Sequence, residues 1–162
     1  MKRVNISAPQ FGYDDEDPDG FGAGMFRPGP ELGASLTGIS VYELPPGQAV
    51  CPYHYEYGEE EWLLVVSGRP TLRHPGGEDE LAPWDLTWFA PGPEGAHEIR
   101  NDTEETVRLM MFSNINHPGA TVYPDSDKIG IWTGNRDDDA LVRRASSVGY
   151  YDGEPPRGAD AG

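Results

Sequence analysis

Short runs of alternating apolar and polar residues, each closed by Gly or Pro, fill the middle of this chain. Residues 36–44 alternate through Thr37, Ile39 and Val41 and stop at Pro45-Pro46-Gly47. Residues 59–67 form the strongest strand candidate: from Trp62 onward both faces are apolar, as expected of a central strand covered on each side. Further strands are predicted at residues 71–74, 85–89, 97–101 and 107–112. Turns at Gly68-Arg69-Pro70, Pro75-Gly76-Gly77 and Pro91-Gly92-Pro93-Glu94-Gly95 separate them. No stretch keeps a helical period and no internal repeat is detectable. Short strands at roughly 8–12-residue spacing predict an all-β sandwich or barrel.

The flanks differ in texture. Residues 1–33 read as an N-terminal arm with an acidic knot (Asp14, Asp15, Glu16, Asp17, Asp19) that is expected to be a solvated loop rather than a calcium loop. Residues 34–115 hold the strand pattern. Residues 116–162 read as an extension packed on it, with one more strand candidate at 129–132.

Composition narrows the function classes. Twelve basic against 28 acidic residues give a net charge of -16, a field that repels phosphate backbones and anionic lipid, so neither nucleic acid nor membrane is an expected partner. The single cysteine, Cys51, excludes an intramolecular disulfide framework. The opening residues lack the apolar stretch of a secretory signal, and the run 62–66 is far below the ~20 residues of a membrane span, so a cytoplasmic protein is expected.

The candidate chemistry lies at His54, Glu56, Glu61 and His97. Residues two apart on a strand share a face, so His54 and Glu56 converge; a turn at Tyr57-Gly58 resets the phase and brings Glu61 in on the next strand. Two imidazoles and two carboxylates are a ligand set for a divalent metal such as Mn, Fe, Ni or Zn. Glu59, Glu60, His74 and His117 are expected to be structural or solvated, Cys51 to be a small core residue, and Asn101 to be a hydrogen-bonder in a turn. Tyr53, Tyr55, Trp62, Trp88 and Phe89 read as core aromatics first and pocket walls second.

The spacing of these residues resembles the two motifs of the cupins, small β-barrels that hold a metal inside. The first appears as Gly47, six residues, His54-x-Glu56, four residues, Glu61, six residues, Gly68. The second appears as Pro93-x-Gly95, one residue, His97, three residues, Asn101, with Asp85 upstream. Two departures stand out: Glu56 occupies the place of the family's second His, and Trp84 stands where the family usually has Gly. The likeness covers residues 36–114. It implies a single cupin β-barrel, or jelly roll, with an N-terminal arm and a C-terminal tail, and it favours a homodimer. His54, Glu61 and His97 take the positions of the family's metal ligands, with Glu56 as a fourth ligand or a general base. A carboxylate in place of an imidazole shifts the expected preference toward harder metals such as Mn or Fe. The resemblance implies action on a small organic molecule, by dioxygenase, decarboxylase or isomerase chemistry. A non-catalytic small-molecule-binding barrel and a metal-free scaffold are the alternative readings.

Overall fold

The computed structural model describes residues 1–156. Twelve strands follow one another: β1 (Gly24–Phe26), β2 (Thr37–Leu44), β3 (Tyr55–Tyr57), β4 (Glu61–Ser67), β5 (Thr71–His74), β6 (Gly77–Glu80), β7 (Leu86–Phe89), β8 (Glu98–Arg100), β9 (Val107–Asn114), β10 (Gly119–Tyr123), β11 (Lys128–Trp132) and β12 (Ala140–Arg143). One helical turn, α1 (Gly29–Leu32), joins β1 to β2. Among the described residues no helix is long and apolar enough to cross a membrane.

The strands form an all-β cupin-type jelly roll. One antiparallel sheet has the order β1-β2-β9-β4-β7. Two smaller sheets, β12-β11-β10-β3 and β6-β5-β8, make up the remaining strands. A single antiparallel bridge between His54 and His97 links β3's side to β8's side. The core gathers Leu44, Leu63, Val65, Leu109 and Met111 from the five-stranded sheet against Leu72 and Ile99 of the smaller one, all buried. Pleating explains the selection: Leu63 and Val65 point in, and Glu61, two residues earlier on the same face, is carried to the open end of that core.

The alternation of residues 36–44 becomes β2, and residues 59–67 become β4, which starts at Glu61 because Gly58, at φ +84°, turns the chain just before it. The predicted strand 71–74 is β5, and 107–112 extends two residues further as β9. The last third contributes more than one strand: β10, β11 and β12 pair in succession, and β10 lies directly against β3.

Two backbone positions carry the geometry of the motifs. A Cβ at Gly95 would meet the Ala90 carbonyl oxygen and amide nitrogen at 1.9 and 2.7 Å, so only glycine fits where the chain passes behind His97. Trp84 has φ +76°, a left-handed conformation, in the turn before β7. Its amide donates to the Val65 carbonyl at 2.7 Å, and Asp85 closes the turn by accepting from the Ala82 amide at 2.8 Å. Asn101 is fully buried: it donates to the Leu44 and Glu105 carbonyls and accepts from the Thr103 amide and hydroxyl, a structural role that uses its full hydrogen-bonding capacity.

Candidate metal centre

His54 and His97 face one another across the bridge. The amide of each donates to the carbonyl of the other, at 3.0 and 2.8 Å, which fixes their side chains on the same inner face with ring centroids 4.6 Å apart. Each ring engages, through Nδ1, the carbonyl two residues before it: Pro52 for His54 and Gly95 for His97, both at 2.9 Å. A carbonyl only accepts, so Nδ1 carries the proton and Nε2 of the neutral ring presents a lone pair. Outer partners of this kind set the tautomer and aim of metal-ligating histidines.

Glu61 enters from the first residue of β4. Its Oε2 is 3.3 Å from His97 Nε2, yet both atoms are buried and neither has a hydrogen-bond partner among the described residues. Two acceptors facing each other in a buried place are costly unless a cation lies between them. Donors ~2.0–2.2 Å from a common ion stand about 3 Å apart, which is the separation seen. One ligand atom from each of His54, Glu61 and His97 lies within 4.8 Å of the others, so these three could hold a metal ion. Phe89 backs the site, its ring stacked on His97 at 3.7 Å and 12°.

Glu56 lines the same cavity as His54 and Glu61 but lies outside that group of three. Its Oε1 accepts from the Thr121 hydroxyl at 3.2 Å, while its Oε2 is buried with no partner. Burial, then the charges of Glu61 and Glu59, push its carboxyl up to about 8. His54 is pushed down to about 4 by burial and by His97, so it is neutral at ordinary pH.

The cavity, of about 220 Å³, is lined by Ser40, Tyr42 and Ser113 as well as His54, Glu56 and Glu61, and by Cys51. The Cys51 sulfur lies 3.5 Å from His54 Nδ1, and burial together with Glu61 and Glu56 raises its pKa, so it remains a neutral thiol. Sequence reasoning placed Cys51 in the core and passed over Ser40, Tyr42, Thr121 and Tyr123, whose ring stacks on His54 at 5.9 Å. The parity of residues 36–44 could have found Ser40 and Tyr42; nothing local marks Thr121 or Tyr123. Of the aromatics considered from sequence, Phe89 backs His97, and Trp62 lies on the outer side, stacked on Phe112. His117 is exposed, and His74 sits beside Asp79 away from the cavity.

Known proteins share this fold. The Cupin domain family model matches residues 40–113, which hold both motifs. A structure from Acidithiobacillus ferrooxidans, described as a "Putative sugar phosphate isomerase", is 26% identical, with TM-score 0.73 over 80% of this chain and 81% of that one. A sugar phosphate isomerase of the cupin superfamily from Silicibacter pomeroyi is 20% identical, with TM-score 0.79 over 93% of this chain and 98% of that one. A polyketide cyclase from Streptomyces resistomycificus is 19% identical, with TM-score 0.59 over 72% and 80%. No curated protein matches the chain. The chain thus shares its all-β fold with these structures, and its residues 40–113 are similar to the Cupin domain.

Proposed function

We propose that this protein is a metal-dependent isomerase of the cupin type that moves a proton between adjacent carbons of a small hydroxylated carbonyl compound. The observation that carries the reading is the buried, partnerless Oε2 of Glu56, on a residue that lines the same cavity as His54 and Glu61. The description of the 26%-identical Acidithiobacillus structure points the same way.

In this reading His54, Glu61 and His97 hold a divalent ion, Mn, Fe, Ni or Zn, on neutral Nε2 atoms and one carboxylate oxygen. When bound, that ion supplies Lewis-acid polarisation of a substrate carbonyl. Glu56 takes the proton from the carbon beside the carbonyl and delivers it to the neighbouring carbon. The hydroxyl proton passes to the former carbonyl oxygen, so one C–H bond breaks, another forms, and no oxidant or reductant is consumed. The Thr121 hydroxyl holds Glu56 Oε1, which leaves Oε2 as the basic oxygen. Ser40, Tyr42 and Ser113 offer hydroxyls to the substrate. Two carboxylates in so small a cavity disfavour a substrate whose reacting end is itself a carboxylate, which argues against decarboxylation.

A homodimer is part of this proposal. Trp88 and Leu86 of the edge strand β7 are half exposed beside Trp62, an apolar face suited to a second copy of the chain.

The test is solvent exchange. The metal-loaded protein is expected to incorporate deuterium from heavy water at the carbon next to the carbonyl of aldose or ketose phosphates. Glu56→Gln should lose at least 100-fold of that rate with metal content retained. Full exchange in Glu56→Gln would remove Glu56 as the base, and none in the wild type would replace the enzyme with a binding barrel.

A further inference from the structure

The candidate metal cavity shares three wall residues with a second, larger chamber. Tyr42, Val50 and Cys51 line it and also line an outer chamber of about 610 Å³, whose other walls include Phe21, Arg27 and Lys128. At about 220 Å³ the inner chamber alone is smaller than the ~300–1,000 Å³ usual for a small-molecule site, and the shared wall at Tyr42, Val50 and Cys51 sets the outer chamber beside it.

The outer chamber reverses the charge balance of the molecule. Acidic residues outnumber basic ones 28 to 12 in the chain, yet this chamber has two cations, Arg27 and Lys128, against the single carboxylate of Asp17. No basic side chain lines the inner cavity. Neither Arg27 nor Lys128 makes an ion pair or side-chain hydrogen bond among the described residues, whereas Arg69, Arg73, Arg100 and Arg108 are each paired with carboxylates. The Lys128 ammonium instead lies over the ring of Tyr123, 5.1 Å from its centroid, and that ring stacks on His54. One aromatic ring therefore separates a free cation from a candidate metal ligand. The two cations come from distant segments, the residue after β1 and the first residue of β11, so the fold rather than a local charge run brings them together.

We infer that Arg27 and Lys128 form a subsite for the phosphate end of a phosphomonoester whose uncharged hydroxyl and carbonyl end enters the inner cavity. Two cations on one chamber match a dianion, and Arg adds forked donors suited to phosphate oxygens. The acidic inner chamber rejects that same end, which fixes the direction in which the molecule enters. This inference rests on the isomerase reading for its orientation, but it is tested by binding alone.

The experiment is calorimetric titration of the metal-loaded full-length protein with glucose 6-phosphate, glucose, gluconate and inorganic phosphate. Glucose 6-phosphate is expected to bind at least tenfold more tightly than glucose, and more tightly than gluconate. Arg27→Ala and Lys128→Ala should each weaken glucose 6-phosphate about tenfold and leave glucose unchanged. Arg136→Ala, which removes one charge from an exposed position elsewhere, should change neither, so a general charge effect is separated from a site. Thermal melts of each variant should match the wild type, because Arg27 is exposed and Lys128 only half buried. Equal affinity for glucose and its phosphate, tighter binding of gluconate than of glucose 6-phosphate, or an equal effect of Arg136→Ala would overturn the subsite. Loss of solvent exchange with phosphate binding intact would overturn the isomerase reading and leave the subsite standing.

Discussion

Thr121 and Glu56 are direct cross-strand partners in the pairing of β10 with β3, and one hydroxyl ties three side chains together. Trp132 Nε1 donates to Thr121 Oγ1 at 2.7 Å, and an indole N–H is only a donor, so the hydroxyl spends a lone pair on Trp132 and keeps its proton for Glu56 Oε1 at 3.2 Å. The candidate base is thus held by a strand outside both cupin motifs. Thr121→Val leaves the Trp132 N–H and Glu56 Oε1 without a partner inside the protein, at a cost of about 1–3 kcal/mol in urea unfolding. It should also raise the pH at which Glu56 acts, because a hydrogen bond to the ionised form is lost. Thr121→Ser, which keeps the hydroxyl, should restore the pH profile. A Thr121→Val profile superimposable on the wild type would make Thr121 a packing residue only.

The facing acceptors of Glu61 and His97 predict the metal stoichiometry. Protein purified without a His-tag and exposed equally to Mn, Fe, Ni and Zn is expected to hold close to one ion per chain by elemental analysis. His97→Ala and Glu61→Gln are each expected to lose it. Glu56→Gln should retain an ion, since Glu56 lies outside the group of three, but with the preference moved from Mn or Fe toward Zn as one oxygen anion leaves the site. Exclusive Zn loading of the wild type would refute the effect assigned to Glu56.

The metal-free protein should lose stability as pH rises above neutrality. Glu56 is raised from 4.5 to about 8 by burial and by the neighbouring Glu61 and Glu59, so between those values the folded state binds the extra proton and stability falls with pH. His54 is lowered from 6.5 to about 4, so between those values the unfolded state binds more protons and stability rises with pH. The two oppose each other from about 4.5 to 6.5, and from 6.5 to about 8 the Glu56 slope is no longer opposed by His54. Chelator-treated protein is expected to lose about 1–2 kcal/mol across that upper window, by urea unfolding at fixed pH steps. Glu56→Gln, which cannot ionise, should flatten it. An unchanged slope in that variant would place the titrating group elsewhere.

What the sequence revealed of this site follows from how locally each feature is encoded. β4 and β9 announce themselves through apolar alternation, and His54, Glu61 and His97 through spacing inside two compact motifs. β6, with the sequence Gly-Glu-Asp-Glu and every residue exposed, has no apolar signal; it exists because it pairs with β5 and because Arg69 and Arg100 reach Glu80 and Glu78. The role of Thr121 was equally invisible, since it depends on a pairing between segments 65 residues apart. Arg27 and Lys128 are likewise ordinary surface cations until the fold places them on one chamber. Trp84 is the reverse case: its place in a motif that usually has Gly marks a left-handed turn, and φ +76° is what the backbone adopts.

The outer face of β4 and β7 predicts the assembly. Trp88 and Leu86 are 49% and 56% exposed, and Trp62 lies 6.5 Å from Trp88, so the apolar edge is continuous. Sedimentation equilibrium is expected to give a dimer for the wild type and a monomer for Trp88→Glu, with unchanged far-ultraviolet circular dichroism. A wild-type monomer at the highest soluble concentration would remove the dimer from the proposal.

Trp84 offers a test of backbone cost separated from side-chain packing. Its left-handed conformation is disfavoured by about 1–2 kcal/mol for a residue with a Cβ, and its indole is 73% exposed, so little packing offsets that cost within one chain. Glycine removes the clash but adds freedom to the unfolded chain, worth about 0.5–1 kcal/mol in the opposite direction. Trp84→Gly should therefore be more stable than the wild type by about 0.5–1 kcal/mol, seen as a higher urea midpoint with the same slope. Trp84→Ala loses the indole and keeps the strain, so it should gain nothing. The informative quantity is the difference between the two variants, because both remove the same exposed ring and any dimer contact it makes. If Gly and Ala at this position unfold at the same midpoint, the left-handed turn carries no cost, and the tryptophan was tolerated there for want of any penalty.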